Sequence, residues 1–150
     1  MQLQKQLCLE RELKGLNMSE NYKEVKELLK KSYAPFSHFN VATIIIEKNG
    51  KKHYGVNVEC AAYPSGLCAE RNAIFSGVTN GLKPYNIKEM HLISSKNDTV
   101  INSCGGCLQV MNEFLDNEAK IYSYSFDGKQ TRVTTIRENM PFVVSTELFD

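Results

Sequence analysis

The spacing of apolar residues changes along the chain, and each change marks a predicted helix or strand. Helical spacing comes first, with side chains on one face at Tyr22, Val25, Leu28 and Leu29. We expect Asn21 and Glu24 to cap the start of this helix and Pro35 to end it. Residues 39–46 then contain several β-branched apolar side chains, which predict a buried strand.

A hairpin and a second helix are predicted next. The Asn49-Gly50 pair is typical of a tight hairpin turn, and alternating side chains over 52–58 predict the returning strand. A loop leads to Cys68, where a helix begins that ends at Asn80-Gly81. One face of this helix carries small and apolar residues, namely Ala69, Ala73, Ile74 and Gly77.

The last third of the chain predicts strand, helix, strand, strand. A short strand covers 89–94, and Ser103 is expected to cap a helix that begins near Cys104. Two further strands are predicted over 121–125 and 131–136. They are expected to form an antiparallel hairpin, because a parallel pair would need a crossover of about a dozen residues or more.

This order of elements predicts an α/β fold. We expect a three-layer α/β/α sandwich around a five-stranded mixed sheet, with the antiparallel hairpin at its end. Residues 18–150 are expected to form one domain, because the chain of 150 residues has the length of a single ordinary domain. Residues 1–17 are polar, and we assign this N-terminal extension no function.

Composition narrows the classes of partner. The 18 basic and 17 acidic residues leave a formal net charge of +1, which gives no electrostatic reason to expect nucleic acid or an anionic membrane. No apolar run approaches the roughly 20 residues of a membrane span, and the N-terminus lacks the apolar region of a signal peptide. We therefore expect a cytoplasmic protein.

Five cysteines carry the first chemical signal. An odd number without a secretion signal argues against a disulfide framework. Cys104 and Cys107 form a C-x-x-C pair, which is typical of a metal site or a redox dithiol. Both lie in the first turn of a predicted helix, where a thiolate is favoured. We assign no function to Cys8 or Cys60.

A third cysteine favours the metal interpretation. Cys68 opens another predicted helix, and Glu70 follows two residues later. Three protein ligands with an open fourth position are typical of a catalytic zinc site, whereas structural sites usually close with four. Zinc deaminases combine three such ligands with a glutamate that acts as general acid and base. We therefore predict a catalytic zinc site.

Four motifs, in this order and spacing, resemble the free-nucleoside cytidine deaminases over about residues 20–140. They are 33–39 (YAPFSHF), 57–59 (NVE) with 61–63 (AAY), 68–71 (CAER), and 104–107 (CGGC) with Gln109. The resemblance implies a zinc-dependent hydrolytic deaminase of pyrimidine salvage. Its partner would be a small nucleoside, and the assembly would be a homotetramer with shared active sites.

The resemblance also implies roles for the metal site. Cys68, Cys104 and Cys107 would bind one zinc ion per chain. Zinc-bound hydroxide would attack C4 of cytidine or deoxycytidine, with Glu70 as proton shuttle, and release ammonia and the uracil nucleoside. Arg71 would offset the net charge of −1 that three thiolates and Zn²⁺ carry together.

Substrate contacts are implied by the same resemblance. Phe39 would pack on the pyrimidine ring, and the backbone at Ala69 would help to hold the base. Asn57 and Glu59 would form hydrogen bonds with the ribose hydroxyls.

The chain departs from the family at three places. Ser103 stands where a proline usually precedes the first cysteine of C-x-x-C, and Leu108 stands where an arginine usually follows the second. Near the C-terminus, Phe142 or Val144 stands where a phenylalanine of the family reaches a neighbouring subunit's site.

Each residue also has a purely structural interpretation. The three cysteines fit a structural metal site or inert buried thiols, and Glu70 fits a carboxylate stabilised by a helix N-terminus. Phe39 could be an ordinary aromatic residue of the core. Asn57 and Glu59 could form a turn at a strand end, and Arg71 could form a surface ion pair.

Three other functions remain open from the sequence. The chain could deaminate polynucleotides, although its charge and final hairpin argue against that. It could deaminate another small aminated heterocycle, such as a nucleoside antibiotic. Outside enzymes of this kind, it could be a zinc-stabilised non-catalytic protein or a dithiol redox protein.

Overall fold

The computed structural model describes residues 19–149, and the predicted order of elements is present there. The helices are α1 (Glu20–Leu28), α2 (Ala69–Thr79), α3 (Gly105–Phe114) and α4 (Ile136–Asn139). The strands are β1 (Val41–Glu47), β2 (Lys52–Val56), β3 (Ile87–Ser94), β4 (Leu115–Tyr124) and β5 (Thr131–Thr134). The predicted extension over residues 1–17, including Cys8, lies outside the described residues.

The five strands form one mixed sheet in the order β2-β1-β3-β4-β5. Strand β1 pairs antiparallel with both β2 and β3, and β3 pairs parallel with β4. The final pair, β4 and β5, is antiparallel, with Tyr122 opposite Val133. This confirms the predicted mixed sheet and its hairpin, whose turn places Gly128 at a φ of 73°.

Helices cover both faces of the sheet, which confirms the three-layer sandwich. Helix α1 packs on one face in a cluster that contains Val25, Ile44 and Tyr124. Helices α2, α3 and α4 pack on the other face, where Ile74 and Met111 are fully buried. Alternation along each central strand supplies apolar side chains to both layers.

Two predicted helix starts are wrong by one or two positions. Ser19 is the N-cap of α1 and accepts a hydrogen bond from the Tyr22 nitrogen, while the Asn21 side chain accepts one from Lys52. Cys104 is the N-cap residue of α3. Ser103 is therefore one position too early to cap that helix.

The C-terminal part also differs from the prediction. Strand β5 ends at Thr134, because Thr135 and Glu138 form a capping box that begins α4. Strand β2 ends at Val56, and Val58 makes only isolated bridges to Tyr33 and Leu67.

Helix α2 lies unusually close to β2. A methyl group placed on Gly55 would overlap the carbonyl oxygen of Ala69 and the backbone nitrogen of Ala73. The absence of a side chain at Gly55 therefore allows the start of α2 to sit directly against the sheet. Among the described residues, no helix has the length and apolar character needed to cross a membrane.

Candidate active site

Two helix starts bring three cysteine sulfurs together. Cys68 precedes α2, Cys104 precedes α3, and Cys107 lies in the first turn of α3. The three sulfurs lie within 4.8 Å of one another, and those of Cys68 and Cys104 are 4.0 Å apart. Within residues 19–149 this is the one group of potential ligands with such spacing.

The donor set fits a zinc ion. A Zn–S distance of about 2.3 Å and tetrahedral angles require sulfurs about 3.8 Å apart, close to the separation of Cys68 and Cys104. The described residues add no histidine or carboxylate to the group. A metal held here would have three protein ligands, the number found in catalytic zinc sites.

The thiols differ in how readily they ionise. A hydrogen bond from Cys107 is the main reason why the pKa of Cys68 is lowered to about 5, and Arg71 adds to this while burial opposes it. The pKa of Cys107 is raised, chiefly by its hydrogen bond to Cys68 and then by burial. The cluster therefore favours negative charge on Cys68 first.

Arg71 extends from the first turn of α2 to the thiol cluster. Its Nη2 lies 3.7 Å from the sulfur of Cys68, and its Nε is buried without a hydrogen-bond partner. The structure thus places this cation against the sulfur of Cys68.

Glu70 lies beside the cluster and is only 4% exposed. Burial is the main reason why the pKa of its carboxyl group is raised, and a hydrogen bond with Ser103 partly opposes that rise. A buried carboxyl group with a raised pKa, placed beside potential metal ligands, is a candidate for proton transfer. Ser103, which does not cap α3, has instead a contact with this carboxylate.

A cavity of about 460 Å³ opens beside these groups, within the size range of small-molecule sites. Except for Cys107, which is buried behind the wall, every predicted site residue lines it. These lining residues are Phe39, Asn57, Glu59, Cys68, Ala69, Glu70, Arg71 and Cys104.

Asn57 is largely engaged within the protein. Its side-chain oxygen accepts hydrogen bonds from the Val41 nitrogen, at 2.8 Å, and from the Ser32 hydroxyl. One of its amide protons goes to the carbonyl oxygen of Phe39. An amide group has two such protons, so one remains for a ligand.

Glu59 holds the turn before Phe39. Its carboxylate accepts hydrogen bonds from the backbone nitrogens of Phe36 and Ser37, at 3.0 and 3.1 Å, and from the Ser37 hydroxyl. The Ser37 hydroxyl is the main reason why the pKa of Glu59 is lowered. A carboxylate can accept about four hydrogen bonds, so one acceptor position remains.

Sequence reasoning missed part of the cavity wall. Ser37, Ile101 and Asn102 also line the cavity. Ser37 lies within the YAPFSHF motif, and the other two come directly before the C-x-x-C segment, so their position beside known motifs was the available signal.

The remaining departures lie around α3. Leu108 is half-buried and packs against the core between the sheet and helices α2, α3 and α4. The Val144 carbonyl accepts a hydrogen bond of 2.9 Å from the Gln109 side chain, whereas Phe142 is 91% exposed. The C-terminal segment therefore runs along the helix that carries Cys107.

Comparisons with known proteins agree with this geometry. The family profile described as "Cytidine and deoxycytidylate deaminase zinc-binding region" matches residues 17–123. A cytidine deaminase of Sporosarcina psychrophila is 30% identical over 124 residues, which cover 83% of this chain and 88% of that protein. One of Mycoplasma genitalium is 36% identical over 114 residues, 75% of this chain and 85% of that protein. The crystal structure of cytidine deaminase from Burkholderia pseudomallei is similar with a TM-score of 0.78 at 30% identity, covering 85% of this chain and 100% of that chain.

Proposed function

The chain belongs to the family of cytidine and deoxycytidylate deaminases, and we propose that it converts cytidine and deoxycytidine to uridine and deoxyuridine with release of ammonia. The observation that carries this proposal is the position of three cysteine sulfurs and buried Glu70 at one cavity. Residues 18–150 would form the catalytic domain of this pyrimidine-salvage enzyme. Three free thiols at the site favour a reducing compartment such as the cytoplasm.

Each proposed catalytic residue has a distinct role. Cys68, Cys104 and Cys107 hold one zinc ion per chain, which would supply a water nucleophile at neutral pH by lowering the pKa of a bound water to about 7. Glu70 takes a proton from the attacking water and passes it to N3 of the base. It then takes the proton of the hydroxyl group formed at C4 and delivers it to the leaving amino group, so that the C4–N bond breaks and ammonia departs. Arg71 supplies positive charge beside the thiolates.

The cavity contacts support a nucleoside as substrate. Phe39 and the backbone at Ala69 hold the pyrimidine, while the free amide proton of Asn57 and the free acceptor position of Glu59 suit the ribose hydroxyls. Among the described lining residues, Arg71 alone is positively charged, and it is engaged by Cys68. A substrate phosphate would therefore lack a cationic partner, which favours nucleosides over nucleotides.

We further propose a homotetramer with shared active sites. Exposed aromatic side chains support association, since Tyr63 at the cavity is 73% exposed and Phe142 near α3 is 91% exposed. Light scattering should give about four times the 17.0 kDa chain mass. A mass equal to one chain would refute the tetramer.

The decisive experiment follows cytidine absorbance with zinc-loaded protein and with Glu70→Gln. We expect the parent to produce uridine, and the variant to keep zinc but lose at least about a thousandfold in rate, because proton transfer is lost. Zinc binding without turnover by the parent would redirect the search to other aminated heterocycles. A zinc-free chain whose cysteines oxidise reversibly would support a redox protein.

A further inference from the structure

The hairpin of β4 and β5 holds the segment 96–102, which leads from β3 toward Cys104. At one end of this segment, the Phe126 nitrogen donates to the carbonyl oxygen of Lys96 at 3.1 Å. Further along, the Gln130 side chain donates to the carbonyl oxygen of Asp98 at 2.7 Å. The hairpin is therefore attached to a loop that approaches the candidate site.

Arg132 makes the attachment that is closest to the site. Its Nη2 donates to the carbonyl oxygen of Ile101 at 2.9 Å and also to the side-chain oxygen of Asn102. A guanidinium nitrogen carries two protons in a fixed plane, so it can hold both acceptors at once. Two consecutive residues are thereby fixed relative to β5.

Ile101 and Asn102 both line the cavity. Ile101 packs together with Phe39 against a buried floor formed by Val41, Ala69 and Leu92. Because Asn102 presents its oxygen to Arg132, its amide nitrogen remains to donate to a ligand. The residues that Arg132 holds thus form the wall beside the ring proposed to stack on the pyrimidine.

We propose that Arg132 is a positioning residue for substrate binding, which fixes Ile101 and Asn102 as the wall of the nucleoside cavity next to Phe39. This inference rests on the proposed function. Arg132 does not line the cavity, so it acts through the two residues that it holds. Its loss widens the pocket in the ground state and the transition state alike, which raises KM more than it lowers kcat.

Gln130 provides a matched control. It makes a comparable hydrogen bond from the same hairpin to the same loop, but its partner Asp98 does not line the cavity. Arg132→Met and Gln130→Met each remove the donors and keep an unbranched side chain. If both residues have a purely structural role, the two variants should change the melting temperature and KM in the same way. If Arg132 is a positioning residue, only Arg132→Met should raise KM.

The experiment measures cytidine kinetics, zinc content, melting temperature and the order parameter of the Ile101 methyl group. For Arg132→Met we expect KM to rise about tenfold, the equivalent of roughly one lost hydrogen-bonded contact, with kcat within about threefold. The Ile101 order parameter should fall and zinc content should stay unchanged. Gln130→Met should lower the melting temperature while leaving KM and Ile101 as in the parent.

A folded Arg132→Met protein with unchanged KM and an equally rigid Ile101 would overturn the proposal. If that variant does not fold, Arg132→Lys replaces it, because lysine keeps a cation that can hold one acceptor. KM and the Ile101 order parameter of Arg132→Lys should then lie between those of the parent and those expected for Arg132→Met, and parent-like values would overturn the proposal. An inactive parent would refute the proposed function alone, because the Ile101 order parameter still reports whether Arg132 holds the wall.

Discussion

The Nη2 atom of Arg71 lies 3.7 Å from the sulfur of Cys68, so a cation from the first turn of α2 faces the thiol that precedes it. This contact and the start of α2 both stabilise a thiolate. It stabilises negative charge in a cluster that lies beside buried Glu70, whose own charge helps to raise the pKa of Cys107 after the hydrogen bond to Cys68 and burial.

Replacing Arg71 should weaken metal binding. In Arg71→Gln the positive charge beside Cys68 is lost, so we expect zinc affinity to fall about tenfold, as for other residues that contact metal ligands. Competition with a chelator measures this affinity. The matched control is Arg137→Gln on the exposed surface of α4, which should bind zinc as the parent does. Equal affinities in the two variants would contradict the role of Arg71.

The cysteine cluster can be tested against a cysteine outside it. Cys104→Ala should lose zinc and melt at a lower temperature, because metal binding to a folded site stabilises the fold. Cys60→Ala should retain one zinc per chain, since Cys60 is free and does not belong to the cluster. Atomic absorption measures the zinc content of both variants, and melting curves measure their stability. Full zinc occupancy in Cys104→Ala would disprove the ligand assignment.

The close contact between β2 and α2 predicts a large effect of one methyl group. Gly55→Ala would place a carbon onto the backbone of Ala69 and Ala73, and it should lower the free energy of unfolding by about 1–3 kcal/mol or more. Gly105→Ala is the comparison, because its added methyl group meets no atom within 4 Å. Denaturant unfolding of the zinc-loaded proteins measures both. Similar stability of the two variants would show that α2 can move away from the sheet at little cost.

Glu89 should contribute to stability only above acidic pH. Its hydrogen bond with His91, at 3.3 Å, is the main reason why its pKa is lowered, while partial burial opposes the shift. A carboxylate whose pKa is lower in the folded state stabilises the protein above its unfolded pKa, near 4.5. That contribution disappears as the pH falls through the folded value.

Glu89→Gln tests this sign. The variant should melt below the parent at pH 7, and the difference should shrink as the pH falls below about 4.5. The difference between the two proteins is the quantity to follow, because protonation of the cysteines affects both equally. A difference that stays constant down to pH 3 would rule out the linkage.

Much of the site follows from local sequence patterns. Cys104 and Cys107 are three residues apart at a helix start, and Cys68 and Glu70 occupy the start of another, so short-range spacing indicates both the donors and the carboxylate. Hydrophobic periodicity likewise predicts the sheet and its layers, since one face of each element must be buried. The short final connection predicts the orientation of β5.

The rest depends on long-range contacts that spacing does not encode. Arg132 reaches a loop thirty residues earlier in the chain, and its sequence neighbours give no sign of this. The close approach of α2 to Gly55 likewise cannot be inferred from local spacing, because it depends on how the helix packs against the sheet. Asn57 and Glu59 line the cavity. The hydrogen bond of Asn57 with Val41 and those of Glu59 with the turn before Phe39 depend on how separate segments of the chain meet.

The thiol cluster is formed by the starts of two separate helices. This separation affects when the newly synthesised chain can bind a metal ion. Cys68 leaves the ribosome 36 residues before Cys104, and β3, which pairs with β1, lies between them in the chain. A metal ion that needs all three sulfurs would therefore find its complete ligand set only after Cys107 has been synthesised. In the cell, acquisition of the ion would then distinguish finished molecules from nascent ones.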